Sequence, residues 1–323
     1  MIVLTGASGF IGSNILYSLN KLGIEELILC DIKTKNNRIN NLKDKKFIKI
    51  IEPEELTRFL DKNNNVEVIV HMGANSSTTE KNFNKIYKQN TRFTKNLWNW
   101  ARDNNVRFIY ASSAAIYGDG SKGFNETTSL ENYKPLNLYG WTKYFFDRYA
   151  LEQDKIGKKP PQWVGLRFFN VYGPNEYHKE KMQSVIINSF MQCKNEGTVK
   201  LFKSYKKNIE HGHQKRDFIY VKDCVSVILW ILDNSSISGI FNCGTGQARS
   251  FKDLAMAMYS SINKQPSIKY IEMPKNLKEQ YQYFTEAKMD KIIEAGYNKK
   301  FIKLEDGIED YVQNYLSNKR TYR

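Results

Sequence analysis

Long hydrophobic runs are missing from this chain, cysteines are few, and acid is short. No stretch approaches the ~18 consecutive apolar residues that a bilayer span needs, so no membrane segment is expected. The opening Met1-Ile2-Val3-Leu4 has no basic lead and turns glycine-rich at once, as a buried strand does and a secretory leader does not. The four cysteines (Cys30, Cys193, Cys224, Cys243) are scattered without Cys-x-x-Cys spacing and read as reduced thiols of a cytoplasmic protein. His211-Gly212-His213 are too few ligands for a metal site, and none is expected. No repeat or low-complexity tail is present. Acid is outnumbered, 34 Asp+Glu against 49 Lys+Arg, for a net charge of +15. A field of that sign draws in polyanions, nucleic acid or a sugar nucleotide among them. Yet lysine and asparagine crowd exposed-looking stretches such as 33–49 and 62–65, as a composition bias would produce. No basic stripe is interleaved with aromatics, so no nucleic-acid partner is expected.

What is present suits a large globular protein. The 323 residues suffice for one large domain or two linked ones, with 41% hydrophobic and 26% charged residues. Short apolar runs at 2–4, 27–30, 66–70 and 108–111 alternate with amphipathic stretches, and 83–102 reads as one helix. Repeated strand–helix units predict an α/β fold, a Rossmann-like doubly wound parallel sheet. After 163–169 the rhythm loosens. A dinucleotide-binding domain is therefore expected over 1–169 and a smaller, mainly substrate-binding α/β lobe over 170–323. Strands near 218–221 and 239–243 are expected to return to the sheet.

Two segments carry most of the chemistry. Gly6-x-x-Gly9-x-x-Gly12 follows a strand and opens a helix, so its backbone approaches a pyrophosphate closely and the helix N-terminus offers free N–H groups. Asp31, at the end of the second strand, suits a ribose hydroxyl and NAD, whereas Lys33, Lys35 and Arg38 suit a 2′-phosphate. Gly73-Ala74 forms a small-residue turn beside the cofactor, and His71 reads as structural. Tyr139 and Lys143, spaced i, i+4, share a helix face, where an ammonium lowers the pKa of a phenol that is otherwise a poor base. Ser112-Ser113 ends the upstream strand, and Ser112 is expected to hold the substrate oxygen against Tyr139.

In order and spacing these elements resemble the extended short-chain dehydrogenase/reductase superfamily. Segments 73–80, 110–114, 169–174, 176–179, 215–221, 239–246 and 281–285 narrow this to the ADP-L-glycero-D-manno-heptose 6-epimerase family, over nearly the whole chain. The resemblance implies an NADP-dependent isomerase, with NAD as the alternative, that oxidises C6 of a nucleotide-activated heptose and returns the hydride to the other face. It implies Tyr139 and Lys179 as two acid/base groups, assisted by Lys143 and Ser112. Cofactor contacts would come from Gly6, Gly9, Phe10, Ile11, Gly12, Asp31, Ile32, Arg38, Met72, Gly73, Ala74, Asn75, Ser76, Asn90, Lys143, Val171 and Lys179. Substrate contacts would come from Ser112, Asn170, Lys181, Asn188, Phe202, Lys203, Ser204, Arg216 and Tyr281. The family's heptose supply to surface lipopolysaccharide and its homo-oligomers, often pentamers, are implied in the same way. Three departures stand out: Pro53 in place of a cofactor lysine, Asn188 in place of a histidine, and a longer 205–214 segment. The last leaves ADP-heptose, the favoured substrate, and GDP-heptose both open. A UDP-hexose 4-epimerase and a non-catalytic NAD(P)-binding sensor or scaffold are the rival functions. A 4,6-dehydratase is disfavoured, because Ser112-Ser113-Ala114 lacks the acidic pair that elimination needs.

Overall fold

A computed structural model describes residues 1–32, 37–278, 281–318 and 322–323. Its strands are Ile2–Thr5 (β1), Leu27–Cys30 (β2), Lys49–Ile51 (β3), Val68–His71 (β4), Arg107–Ser113 (β5), Trp163–Phe168 (β6), Asn170–Tyr172 (β7), Val199–Phe202 (β8), Lys215–Tyr220 (β9), Gly239–Cys243 (β10), Ala248–Ser250 (β11) and Ile268–Ile271 (β12). Seven of them form one parallel sheet in the order β10-β6-β5-β4-β1-β2-β3. The core strands are short and apolar because both faces are covered. Alternation along β1 divides them: Val3 joins the layer beneath Leu56, Leu97 and Trp98, while Leu4 joins the layer of Ile15, Leu19, Val227 and Ile231.

The helices include Phe10–Lys21 (α1), Pro53–Leu60 (α2), Phe83–Tyr87 (α3), Phe93–Asp103 (α4), Leu138–Lys155 (α5), Val185–Glu196 (α6), Val221–Asp233 (α7) and Phe251–Ser261 (α8), of which α6 and α8 pack in a separate third cluster. The sequence predicts one helix over 83–102. The structure divides it, with a π-turn at Lys88–Arg92 between α3 and α4. The wider turn points Asn90 and Thr91 inward, where both bond Thr142 of α5.

The second half contributes β10 to the main sheet, in register beside β6. The strand expected near 218–221 does not return there. β9 pairs with β7 and β11 in a separate three-stranded sheet, and Val221 already begins α7. Phe218 and Tyr220 pack with Leu254, Met258 and Tyr311, so a local apolar cluster holds β9 away from the large sheet. The crevice falls where strand order reverses, at the carboxyl ends of β1 and β4, as doubly wound sheets dictate.

Candidate active site

A cavity of about 1000 Å³ occupies that crevice. Gly6 sits at φ +64°, and a Cβ there would lie 2.7 Å from the Cα and N of Gly73, so the two loops meet backbone to backbone. Gly9 caps α1 with no side-chain acceptor, and the first turn carries no acid. Its N–H groups are therefore available to an anion. A cradle of glycines under an uncapped helix start fits a dinucleotide pyrophosphate. Asp31 is buried and already engaged. Oδ2 accepts from Ser8 N (2.9 Å) and Ser8 Oγ (2.7 Å), and Oδ1 from Ile32 N (2.9 Å).

Every residue expected to hold the cofactor lines this cavity except Asn90. Asn90 is buried behind the wall instead. Its Oδ1 accepts from Asn75 N (2.7 Å), and its Nδ2 donates to Asn75 O and Thr142 Oγ1 (both 3.0 Å). It shapes the Gly73–Ser76 turn and does not reach into the cleft. Lys33 and Lys35 lie outside the described residues, while Arg38 and Pro53 both reach the cavity. His71 bridges Thr5 Oγ1 (2.6 Å) and Thr94 Oγ1 (2.8 Å), and burial pushes its pKa down to about 3, so it is a neutral structural link.

Asn137 caps α5 by accepting from Gly140 N (2.9 Å), which starts the helix in time to place Tyr139 and Lys143 on the cavity wall. The Lys143 ammonium lies 5.9 Å from the Tyr139 ring centroid and donates to Ala111 O (2.7 Å). Burial lowers the Lys143 pKa to about 8, against the opposing pull of Asp147. Burial raises the Tyr139 pKa, and a hydrogen bond from Ser113 works against that rise. The expected partner was Ser112. Ser112 also lines the cavity, but its hydroxyl donates to Asp147 Oδ2 (3.0 Å), because successive β5 side chains alternate. Asp147 also takes Tyr110 OH (3.1 Å) and Arg167 Nε (2.9 Å), a fully buried ion pair that joins α5 to β6. Ser113 thus stands where Ser112 was expected, a choice that alternation along β5 makes only once the strand's start is known.

Lys179 lies across the cavity, its Nζ 5.0 Å from the ring centroid of Phe10. Burial lowers its pKa, while Glu176 pulls upward. Glu176 itself is bound by Ser184 N (2.5 Å) and Ser184 Oγ (2.7 Å). His178, Lys88, Arg92 and Asn96 also line the space, and none had been singled out there from the sequence.

Other expected substrate residues stand apart from the cavity lining. Asn170 is exposed, and Asn188 spends its amide on Ser184 O (3.1 Å). Phe202 meets Tyr281 edge-on, with centroids 6.5 Å apart. Lys203 pairs with Glu272 (2.7 Å), and Ser204 N donates to His211 Nδ1 (3.0 Å). Arg216 is buried between the rings of Phe251 (5.6 Å) and Tyr281 (5.1 Å). The side chain of Lys181 lies outside the described residues. No cluster of three metal-ligating side chains occurs among the described residues.

Residues 2–244 match the NAD dependent epimerase/dehydratase family. The chain belongs to that family. Among curated members, it is 44% identical to the ADP-L-glycero-D-manno-heptose-6-epimerase of Fusobacterium nucleatum, with 100% of both chains covered. It is 42% identical to the protein of that name from Brachyspira hyodysenteriae, with 97% of each covered. The solved ADP-L-glycero-D-manno-heptose-6-epimerase of Helicobacter pylori superposes with a TM-score of 0.82 at 29% identity, covering 97% of this chain and 95% of that one. These likenesses bear out the expected Rossmann-like fold and the expected enzyme class, a sugar-nucleotide epimerase. The family name gives NAD dependence at the coarse level. Among the described residues, no helix is long and apolar enough to cross a membrane.

Proposed function

We propose that this epimerase inverts C6 of ADP-D-glycero-D-manno-heptose, using NADP. One observation carries the proposal: two different proton carriers, Tyr139 and Lys179, line the same cavity as the glycine loop. Inversion needs proton exchange with the C6 oxygen in two orientations, which one fixed base serves poorly. The bound nicotinamide supplies the hydride acceptor and donor. Lys143 supplies the cation that favours loss of the Tyr139 proton against the rise that burial imposes, and Ser113 bonds the phenol oxygen. Lys179, kept partly dry by Phe10, exchanges the proton in the other orientation. Arg216 offers a planar fork for the diphosphate.

The preference for NADP rests on Asp31 and Arg38. Asp31 turns both oxygens inward to Ser8 and Ile32, which leaves less of it for a ribose diol. Arg38 faces the same cavity and suits a 2′-phosphate. A cytoplasmic homo-oligomer, with residues 1–169 serving mainly the dinucleotide and 170–323 mainly the sugar nucleotide, completes the proposal. Turnover of ADP- and GDP-linked D-glycero-D-manno-heptose in deuterated solvent, read by NMR, tests it. The expected product is inverted at C6 without deuterium at that carbon. Deuterium there would sink hydride return. Lys179→Ala should abolish this epimerisation, whereas a 4-epimerase would barely respond.

A further inference from the structure

His178 lines the cavity beside Lys179, and no step above uses it. It sits in the 3₁₀ turn Tyr177–Met182, with Nδ1 3.4 Å from Asn41 Nδ2. The same amide group donates to Ser8 O (2.8 Å) and Asn175 O (3.2 Å). Ser8 lies between Gly6 and Gly9, so Asn41, its two amide protons given to Ser8 O and Asn175 O, seats the imidazole against the middle of the glycine loop. Asn175 is itself fixed. It is wholly buried at φ +75°, donates to Ser13 Oγ (3.0 Å) and accepts from Arg323 N (2.8 Å). The ring is therefore mounted on a fixed frame. No side-chain hydrogen bond to its Nε2 occurs among the described residues, and the ring's backbone bond is to Asn175. Arg38 lines the same cavity, and its charge reaches the ring.

We propose that His178 is a cofactor-phosphate ligand, its Nε2–H donating to a phosphate oxygen of the bound dinucleotide beside Arg38. This rests on the dinucleotide reading of the cavity and not on which sugar is turned over. In the free protein, burial and then the cations Arg38 and Lys179 push the ring's pKa down to about 4, opposed by a backbone hydrogen bond to Asn175. Asn41 is neutral, and the Glu176 carboxylate is held by Ser184. The imidazole is thus neutral at pH 7 in the free protein, its single N–H engaged by the Asn175 backbone, and the Nε2–H that meets the phosphate is the proton taken up on binding. A phosphate brought against it supplies the missing negative charge and raises that pKa. Binding therefore takes up protons as pH falls toward 6, because the bound state holds more protons than the free one.

Calorimetric binding of NADP+ and NAD+ at pH 6 and pH 8, in two buffers of different ionisation enthalpy, tests this on wild type, His178→Leu and His178→Gln. Leucine should weaken binding about tenfold, glutamine, which keeps a donor, should restore most of it, and only wild type should take up protons at pH 6. A loss confined to NADP+ assigns the 2′-phosphate, and an equal loss for both cofactors assigns the pyrophosphate. Thermal unfolding of each unliganded variant separates lost contact from lost fold. If His178→Leu binds both cofactors within twofold of wild type with unchanged proton uptake, the assignment is wrong. If wild type binds neither cofactor, the dinucleotide reading itself is wrong.

Discussion

The two ends of the site are prepared differently. At the cofactor end, backbone and buried side chains fix the walls: Gly6 lies against Gly73, Ser8 is bonded to Asp31, and Asn90 clamps Asn75. At the proposed substrate end, the expected contacts already have partners within the protein. Lys203 is paired with Glu272, and Arg216 is packed between Phe251 and Tyr281. A rigid pocket loses little order when its ligand arrives, whereas a self-satisfied one must exchange partners. Changes at the first end should therefore appear in the chemical step and in cofactor retention. Changes at the second should appear in KM.

Tyr139→Phe is the severest way to sharpen that contrast. It should lower kcat about 10³-fold while binding of the reduced cofactor, followed by its own fluorescence, stays near wild type. The two serines come next. Ser113→Ala should cost about tenfold in kcat with little change in Tm. Ser112→Ala should do the reverse, since it removes a buried donor from Asp147, a loss of about 1–3 kcal/mol seen in chemical denaturation. Finding the kinetic defect in Ser112→Ala would restore the original expectation and break the contrast at this point.

Arg216→Lys should raise KM for the nucleotide sugar about tenfold and leave cofactor affinity alone, because a point charge cannot reproduce a planar fork stacked on two rings. In the pH profile, the proposed mechanism requires a cationic Lys143 to stabilise the Tyr139 phenolate, and the Lys143 pKa is lowered to about 8. kcat should accordingly fall as pH rises through about 8, well short of the range of an ordinary lysine. An alkaline limb near 10.5 would detach Lys143 from the reaction. The smallest effect belongs to Glu272→Ala. It frees an exposed lysine, so Tm should be unchanged and KM should shift by no more than about twofold.

The cofactor end was the more legible in sequence because its chemistry is local. Gly6, Gly9 and Gly12 act through backbone in one short loop, and Tyr139 and Lys143 share one helix. Where bonds cross between elements, sequence spacing lost its power. Asn90 faces Asn75 and Thr142 because of a π-turn that no periodicity announces. Ser112 and Ser113 exchange roles through a half-turn of strand pleat, and only knowing where β5 begins decides between them. β9 joined the small sheet because its aromatics found partners in α8 and the 304–311 helix, far along the chain.

The placement of β10 bears on how the molecule comes to be made. It covers the outer side of β6, yet 70 residues separate Phe168 from Gly239. Until residue 243 has left the ribosome, the nascent chain carries an apolar strand with unpaired N–H and C=O groups, an invitation to sticking between neighbouring chains. Synthesis therefore passes through a vulnerable interval that ends only when a late segment closes the sheet's open side.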